Sequence, residues 1–137
     1  MTHTAAGIQT VYLTVRDLDA ALVFWRRLVG PERALVPWNG DGTEQGAFFE
    51  LADGTRLIVS YERARVPTRH RQHVWVELLC DNPAAFHDEL VAEGFAVAGP
   101  PAPTAGGSLA FTVRDPDGNE ARVGTRWSLP AAGATGT

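Results

Sequence analysis

The chain has one cysteine, Cys80, and no lysine. A single thiol excludes an internal disulfide and a zinc-thiolate cluster, each of which needs more than one sulfur. The missing lysine, with all twelve basic residues being arginine, is most simply a GC-rich coding bias rather than a chemical demand. Positive charge is scarce: the 12 basic residues meet 16 Asp+Glu, for a net charge of -4 and a pI near 5.5. A nucleic-acid surface needs a basic footprint, so that class of partner is set aside. The opening MTHTAAGIQT lacks both the charged stretch and the apolar core of a signal peptide, and the expectation is a cytoplasmic protein with no membrane partner.

What is present is a repeat. DGTRLIV, beginning at Asp53, returns as DGNEARV at Asp117, an offset of 64 in 137 residues. The same offset carries Asp17 onto Asp81, Ala20-Ala21 onto Ala84-Ala85, Gly30 onto Gly94 and Val59 onto Val123. Two units of similar punctuation decide the architecture before any single motif does. With 45% apolar and 20% charged residues, the composition is that of one compact domain.

Within the first half, Val11, Leu13 and Val15 alternate with Thr10, Tyr12 and Thr14, the period of a strand with one face on a core. Asp17 is placed to cap a helix carrying Leu18, Ala21, Leu22, Trp25 and Leu28 on one side, and Gly30-Pro31 stops it. Strands near 34–36, 47–51 and 56–61 follow, the last two joined by a turn at Asp53-Gly54. The second half reads as a strand over 73–78, a cap at Asp81-Asn82-Pro83, a helix over 84–93 ended by Gly94, and strands near 95–98, 109–113 and 120–124. The predicted fold is α+β: tandem βαβββ modules forming a cup-shaped mixed sheet, in a two-fold dimer. Module one spans 8–62, a linker 63–72 and module two 73–127, making one domain over 1–127 with a flexible tail at 128–137. Four arginines between Glu62 and Gln72 are read as a solvated linker, with an anion-binding patch as the lesser alternative.

Strand alternation also predicts which residues turn away from the helices. Among them, Tyr12, Phe48, Ile58 and Trp75 are interleaved with Ser60, Arg56, Glu50, Glu77, Glu120 and Arg122. A solvent-facing strand face is normally polar throughout. These aromatics are read either as cover for a subunit interface or the facing module, or as a pocket that stacks on a flat apolar ligand.

Paired βαβββ units, a strand running into the helix DLDAALVFW, and a final DPDGNEARV resemble the vicinal oxygen chelate superfamily of glyoxalases, bleomycin-resistance proteins and dioxygenases. The resemblance covers about residues 8 to 127 and implies the fold more than any activity. Enzymes of that superfamily hold a divalent metal through four side chains, one near the start of the first strand and one on the last strand of each unit. By position these would be Thr10, Ile58, His73 and Arg122. Ile58 has no donor, Arg122 is a permanent cation and Thr10 is a weak ligand, so no metal and no other cofactor is expected. Displaced carboxylates from Glu50, Glu62, Glu77 or Glu120 are the alternative source of ligands. His73 is left as a hydrogen-bonding group of the pocket, a structural residue or a general base.

A cup with aromatics and without a metal is similar to the bleomycin-resistance branch. The resemblance implies a protein that binds and sequesters an aromatic natural product, as in antibiotic self-resistance, rather than an enzyme. The predicted ligand-binding residues are Tyr12, Trp38, Phe48, Ile58, Ser60, His73, Trp75 and Arg122, with no catalytic residue. The predicted partners are a small aromatic natural product and a second copy of the chain. Trp38 is read either as a second stacking wall or as a plug packed on its own module. The competing class is a metal-free isomerase or cyclase with His73 or Glu77 as acid or base, and a metal-dependent lyase or dioxygenase stands further behind.

Overall fold

The computed structural model describes residues 2–66, 74–105 and 107–126. The chain separates into two compact units, residues 1–72 and 73–137. Each is a small α+β unit with its own open mixed sheet.

The first unit runs β1 (Thr10–Thr14), α1 (Leu18–Val29), β2 (Ala34–Pro37), β3 (Gln45–Glu50) and β4 (Arg56–Tyr61), then a 3-10 turn at Arg63–Arg65. Asp17 starts α1 by accepting the Ala20 N–H at 3.2 Å. Gly30 ends it in a positive-φ conformation, φ 90, that a side chain would resist. The sheet order is β1-β4-β3-β2, with β1 parallel to β4 and the other pairs antiparallel. Leu13 and Val15, Ala47 and Phe49, and Leu57 and Val59 are buried on one side of the sheet with Ala21, Leu22, Phe24 and Trp25 of α1. Phe24, absent from the expected helix stripe, meets Trp25 edge to face with ring centres 4.8 Å apart. Each such fully buried side chain contributes about 1.5 to 3 kcal/mol, which fixes the side of the sheet that α1 covers.

The second unit repeats the plan: β5 (Trp75–Leu79), α2 (Pro83–Ala92), β6 (Ala96–Val97), β7 (Ala102–Pro103), β8 (Leu109–Arg114) and β9 (Glu120–Gly124). The order is β5-β9-β8-β6, with β7 also paired to β8. Its core holds Leu90, Phe111, Val113, Ala121 and Val123, and the rings of Phe86 and His87 meet Phe111 edge to face.

The DPDGN motif has a structural task here. The Asp115 carboxylate accepts from the N–H groups of Asp117 and Asn119, at 2.9 and 2.8 Å, and from the Asn119 side-chain amide at 2.9 Å. The Asn119 side-chain oxygen Oδ1 in turn accepts the Val74 N–H at 2.9 Å, so the turn between β8 and β9 also secures the entry to β5. Asp115 and Asn119 are both buried, and these bonds satisfy their side-chain polar groups within the protein.

Three details differ from the sequence reading. The cap of α2 is Asn82, whose side chain accepts the Ala85 N–H at 3.1 Å, not Asp81. From Thr10 to Trp75, and from the cap Asp17 to the cap Asn82, the offset is 65; from Gly30 to Gly94 and from Arg56 to Glu120 it is 64. From the cap to the closing glycine the second unit is one residue shorter, so a single offset misplaces everything before it. β7 was also unforeseen, because prolines read as loop, although an outer strand tolerates them. The predicted opening residue of β5, His73, and the tail 128–137 lie outside the described residues.

Candidate ligand-binding site

Residues directly opposite each other in neighbouring strands project to the same side of a sheet. In the first unit Tyr12 stands opposite Ile58, Ile58 opposite Phe48, and Phe48 opposite Ala34. This row projects away from the face that α1 covers, because Leu13, Val59 and Ala47 occupy the alternate positions. The next row is Thr14, Ser60, Gly46 and Val36, and the one before it is Thr10, Arg56 and Glu50.

Trp38, just beyond β2, completes this surface. Its ring centre is 5.9 Å from that of Phe48 with the planes tilted by 50°. It lies over Gly46, where an added Cβ would come within 2.3 Å of the Trp38 Cζ2. Glycine in mid-strand therefore makes a seat for the indole. Tyr12 is 59% exposed and Trp38 38%, while Ile58 and Ser60 between the strands are buried. The Ser60 hydroxyl lies 3.5 Å from the Leu13 carbonyl oxygen, at the limit of a hydrogen bond. Ile58 and Ser60 thus contribute support beneath the exposed rings rather than exposed contacts.

In the second unit, Trp75 stands opposite Glu120, and Arg122 between Glu77 and Thr112. The Arg122 guanidinium carbon is 4.5 Å from the Trp75 ring centre, a cation–π stack along the sheet diagonal. Arg122 Nη1 is 3.8 Å from Glu77 Oε1, whereas Arg114 places Nε and Nη2 each 3.1 Å from Glu120 Oε1. The register gives Glu120 to Arg114, its directly opposite neighbour.

The structure therefore brings Tyr12, Trp38, Phe48, Ile58 and Ser60 together on the open face of the first unit, and Trp75 with Arg122 on that of the second. His73 lies outside the described residues. Glu77, expected on this face, shapes the second surface together with Arg114; Gly46 shapes the first and was missing from the predicted residues, a lone glycine inside the apolar strand QGAFF being the available signal.

A polar hollow of about 280 Å³ lies elsewhere on the first unit, lined by Asn39, Asp41, Thr43, Glu44, Tyr61 and Arg63. Its groups largely bond one another: Asn39 donates to Thr43 and Glu44, Asp41 accepts from the Thr43 N–H and hydroxyl, and Glu44 accepts the Arg63 N–H. The Thr43 N–H, then its hydroxyl, hold the Asp41 carboxyl below its usual range. This is a self-satisfied turn, and the aromatic surfaces remain the better candidate.

The metal positions of the vicinal oxygen chelate pattern do not fit an ion. Ile58 is a buried hydrocarbon, and Arg122 holds its cation over an indole. The register also corrects one assignment: the counterpart of Thr10, opposite Arg56, is Trp75, opposite Glu120, rather than His73. Neither an indole nor a guanidinium offers a lone pair to a divalent metal. Among the described residues, no three of His, Cys, Asp and Glu cluster as ligands.

The family model for the Glyoxalase/Bleomycin resistance protein/Dioxygenase superfamily matches residues 3–123. No curated protein matches the chain. Among solved structures, a glyoxalase family protein from Bacillus cereus is similar at a TM-score of 0.70, with 15% identity over 92% of this chain and 97% of that one. Lactoylglutathione lyase from Agrobacterium tumefaciens gives a TM-score of 0.66 and 22% identity, covering 90% of this chain and 96% of the other. The fosfomycin resistance protein FosX from Listeria monocytogenes, in a complex with Mn(II) and a dihydroxypropylphosphonic acid, gives 0.63 and 18%, covering 88% and 92%. At these identities the likeness is one of fold.

Proposed function

We propose that this chain, which belongs to the Glyoxalase/Bleomycin resistance protein/Dioxygenase superfamily, holds a flat aromatic natural product in the cytoplasm and releases it unchanged. The observation that carries this reading is the row Tyr12, Ile58, Phe48 with Trp38 seated on Gly46: rings and hydrocarbon on the sheet face turned away from the helix. The Trp75–Arg122 stack of the second unit adds a plate of the same kind. A sheet face used only for contact with water has no need of such rings. The unsuitability of Thr10, Ile58, Trp75 and Arg122 as metal ligands favours holding over the metal-assisted chemistry of other superfamily members.

The energetics suffice for sequestration. Burial contributes about 25 cal/mol per Å² of apolar surface, and each well-placed ring pair about 0.5 to 1.5 kcal/mol. A few hundred Å² therefore supports binding in about the micromolar to nanomolar range after ordering costs. A thermal-shift screen against flat aromatic natural products, followed by tryptophan fluorescence, tests the reading. A cognate compound raises stability by about 2.7 kcal/mol at a hundredfold excess over its dissociation constant. No shift and no quenching from any flat aromatic compound in such a panel would count against it.

The proposed holder is a homodimer, because the exposed Tyr12, Trp38, Trp75, Leu35 and Leu79 exceed what a lone small chain usually leaves to water. Light scattering across a concentration series should give twice the chain mass of 14.8 kDa. A monomer mass at high micromolar concentration contradicts this.

A further inference from the structure

Arg122 and Arg114 share one face of the second sheet and differ in what they have left to offer. Arg114 commits Nε and Nη2 to Glu120 at 3.1 Å each. Arg122 approaches its charge partner among the described residues, Glu77, only to 3.8 Å, beyond hydrogen-bond reach. A guanidinium carries five N–H donors in a rigid fork. The Trp75 ring, 4.5 Å away, holds that fork in one plane, so much of its ordering cost is met before any ligand arrives. Arg122 sits on β9, an interior strand between β5 and β8, with its side chain 37% exposed and the Thr112 hydroxyl side chain directly opposite.

We propose that this is an oxyanion subsite: Arg122, steadied by Trp75 and flanked by Thr112, receives a carboxylate carried by the flat ligand. A carboxylate matches the guanidinium fork in width and accepts two parallel bonds from it. The neighbouring Glu77 carboxylate narrows the class further. It opposes a doubly charged phosphate more than a singly charged carboxylate, and the Trp75–Arg122 stack offers a flat surface to the attached ring. The ligand class is therefore an aromatic monocarboxylate. This inference rests on the aromatic-holding function proposed above and specifies which members of that class bind.

The probes are 9-anthracenecarboxylate and its carboxamide, which share a ring and differ in charge, titrated into the full chain by tryptophan quenching. The acid should bind about tenfold more tightly or better, the worth of a hydrogen bond to a charged group. Arg122→Gln should erase the preference, and Arg114→Gln, which alters the committed arginine on the same face, should leave it in place. In the unmodified chain the preference should also vanish as the pH falls through the probe's own carboxyl range, a readout independent of any variant's folding. Equal binding of acid and amide, or a preference that survives Arg122→Gln, overturns the oxyanion subsite while leaving the aromatic-holding function standing. Binding of neither probe likewise overturns the subsite, while the holding function stands or falls on the compound panel.

Discussion

The guanidinium of Arg122 lies over the indole of Trp75, 4.5 Å from its centre, although the strand register sets Glu77, not Trp75, directly opposite Arg122. The stack runs along the diagonal of a parallel strand pair, a separation that only long or aromatic side chains bridge. Two of the four positions at which related enzymes place metal ligands are thus taken by a cation and a ring held against each other. At these positions the sheet face presents an ordered cation and an indole, neither of which offers a lone pair to a divalent metal.

Trp75→Ala should lower the affinity for a bound aromatic compound by about 1 to 3 kcal/mol. Stability should change little, since Trp75 is 54% exposed on an outer strand of its sheet. Titration together with thermal melting checks both parts. An unfolded variant, or an unchanged affinity, would contradict the role given to this ring.

Gly46→Ala should unseat Trp38, because the new methyl would sit 2.3 Å from its Cζ2. The indole is the far end of a side chain and can swing away, so the expected cost is roughly 1 kcal/mol, the lower end for overpacking, with a shift in tryptophan emission. Gly124→Ala should cost more, since its added carbon would meet the Leu109 carbonyl oxygen at 2.6 Å and backbone does not swing. Urea denaturation ranks the two. Equal stabilities would show that the close approaches relax freely.

Asn119→Ala should destabilise by about 1 to 3 kcal/mol by leaving the Val74 N–H and the buried Asp115 carboxylate short of a partner. Denaturant midpoints at unchanged slope measure it. A loss below about 0.5 kcal/mol, the usual effect of a surface change, would mean that the DPDGN turn does not secure β5.

Much of this arrangement was legible in the sequence because alternation is a local property. The period of two in residues 10–15 and 56–61 assigned Tyr12 and Ile58 to the open face, and the register of β1 with β4 places them opposite each other there. The DG turns announced the hairpins at Gly54 and Gly118, both at positive φ. Two kinds of information were not local. A helix segment shorter by one residue moved the cap from Asp81 to Asn82 and the counterpart of Thr10 to Trp75, which a constant repeat offset cannot register. Pairings such as Arg114 with Glu120, or Trp38 with Gly46, depend on which strands neighbour which and where a loop folds back.

Whether an aromatic compound is held or transformed is decided by the NMR spectrum of a bound compound recovered after prolonged incubation with the protein. The compound is one identified by its thermal shift, and NMR is chosen because isomerisation leaves the mass unchanged. A protein that only holds its ligand returns a spectrum identical to that of the starting material at every time point. New resonances that grow with time and with protein concentration would contradict holding without transformation and identify the chain as an enzyme acting on the molecule it binds.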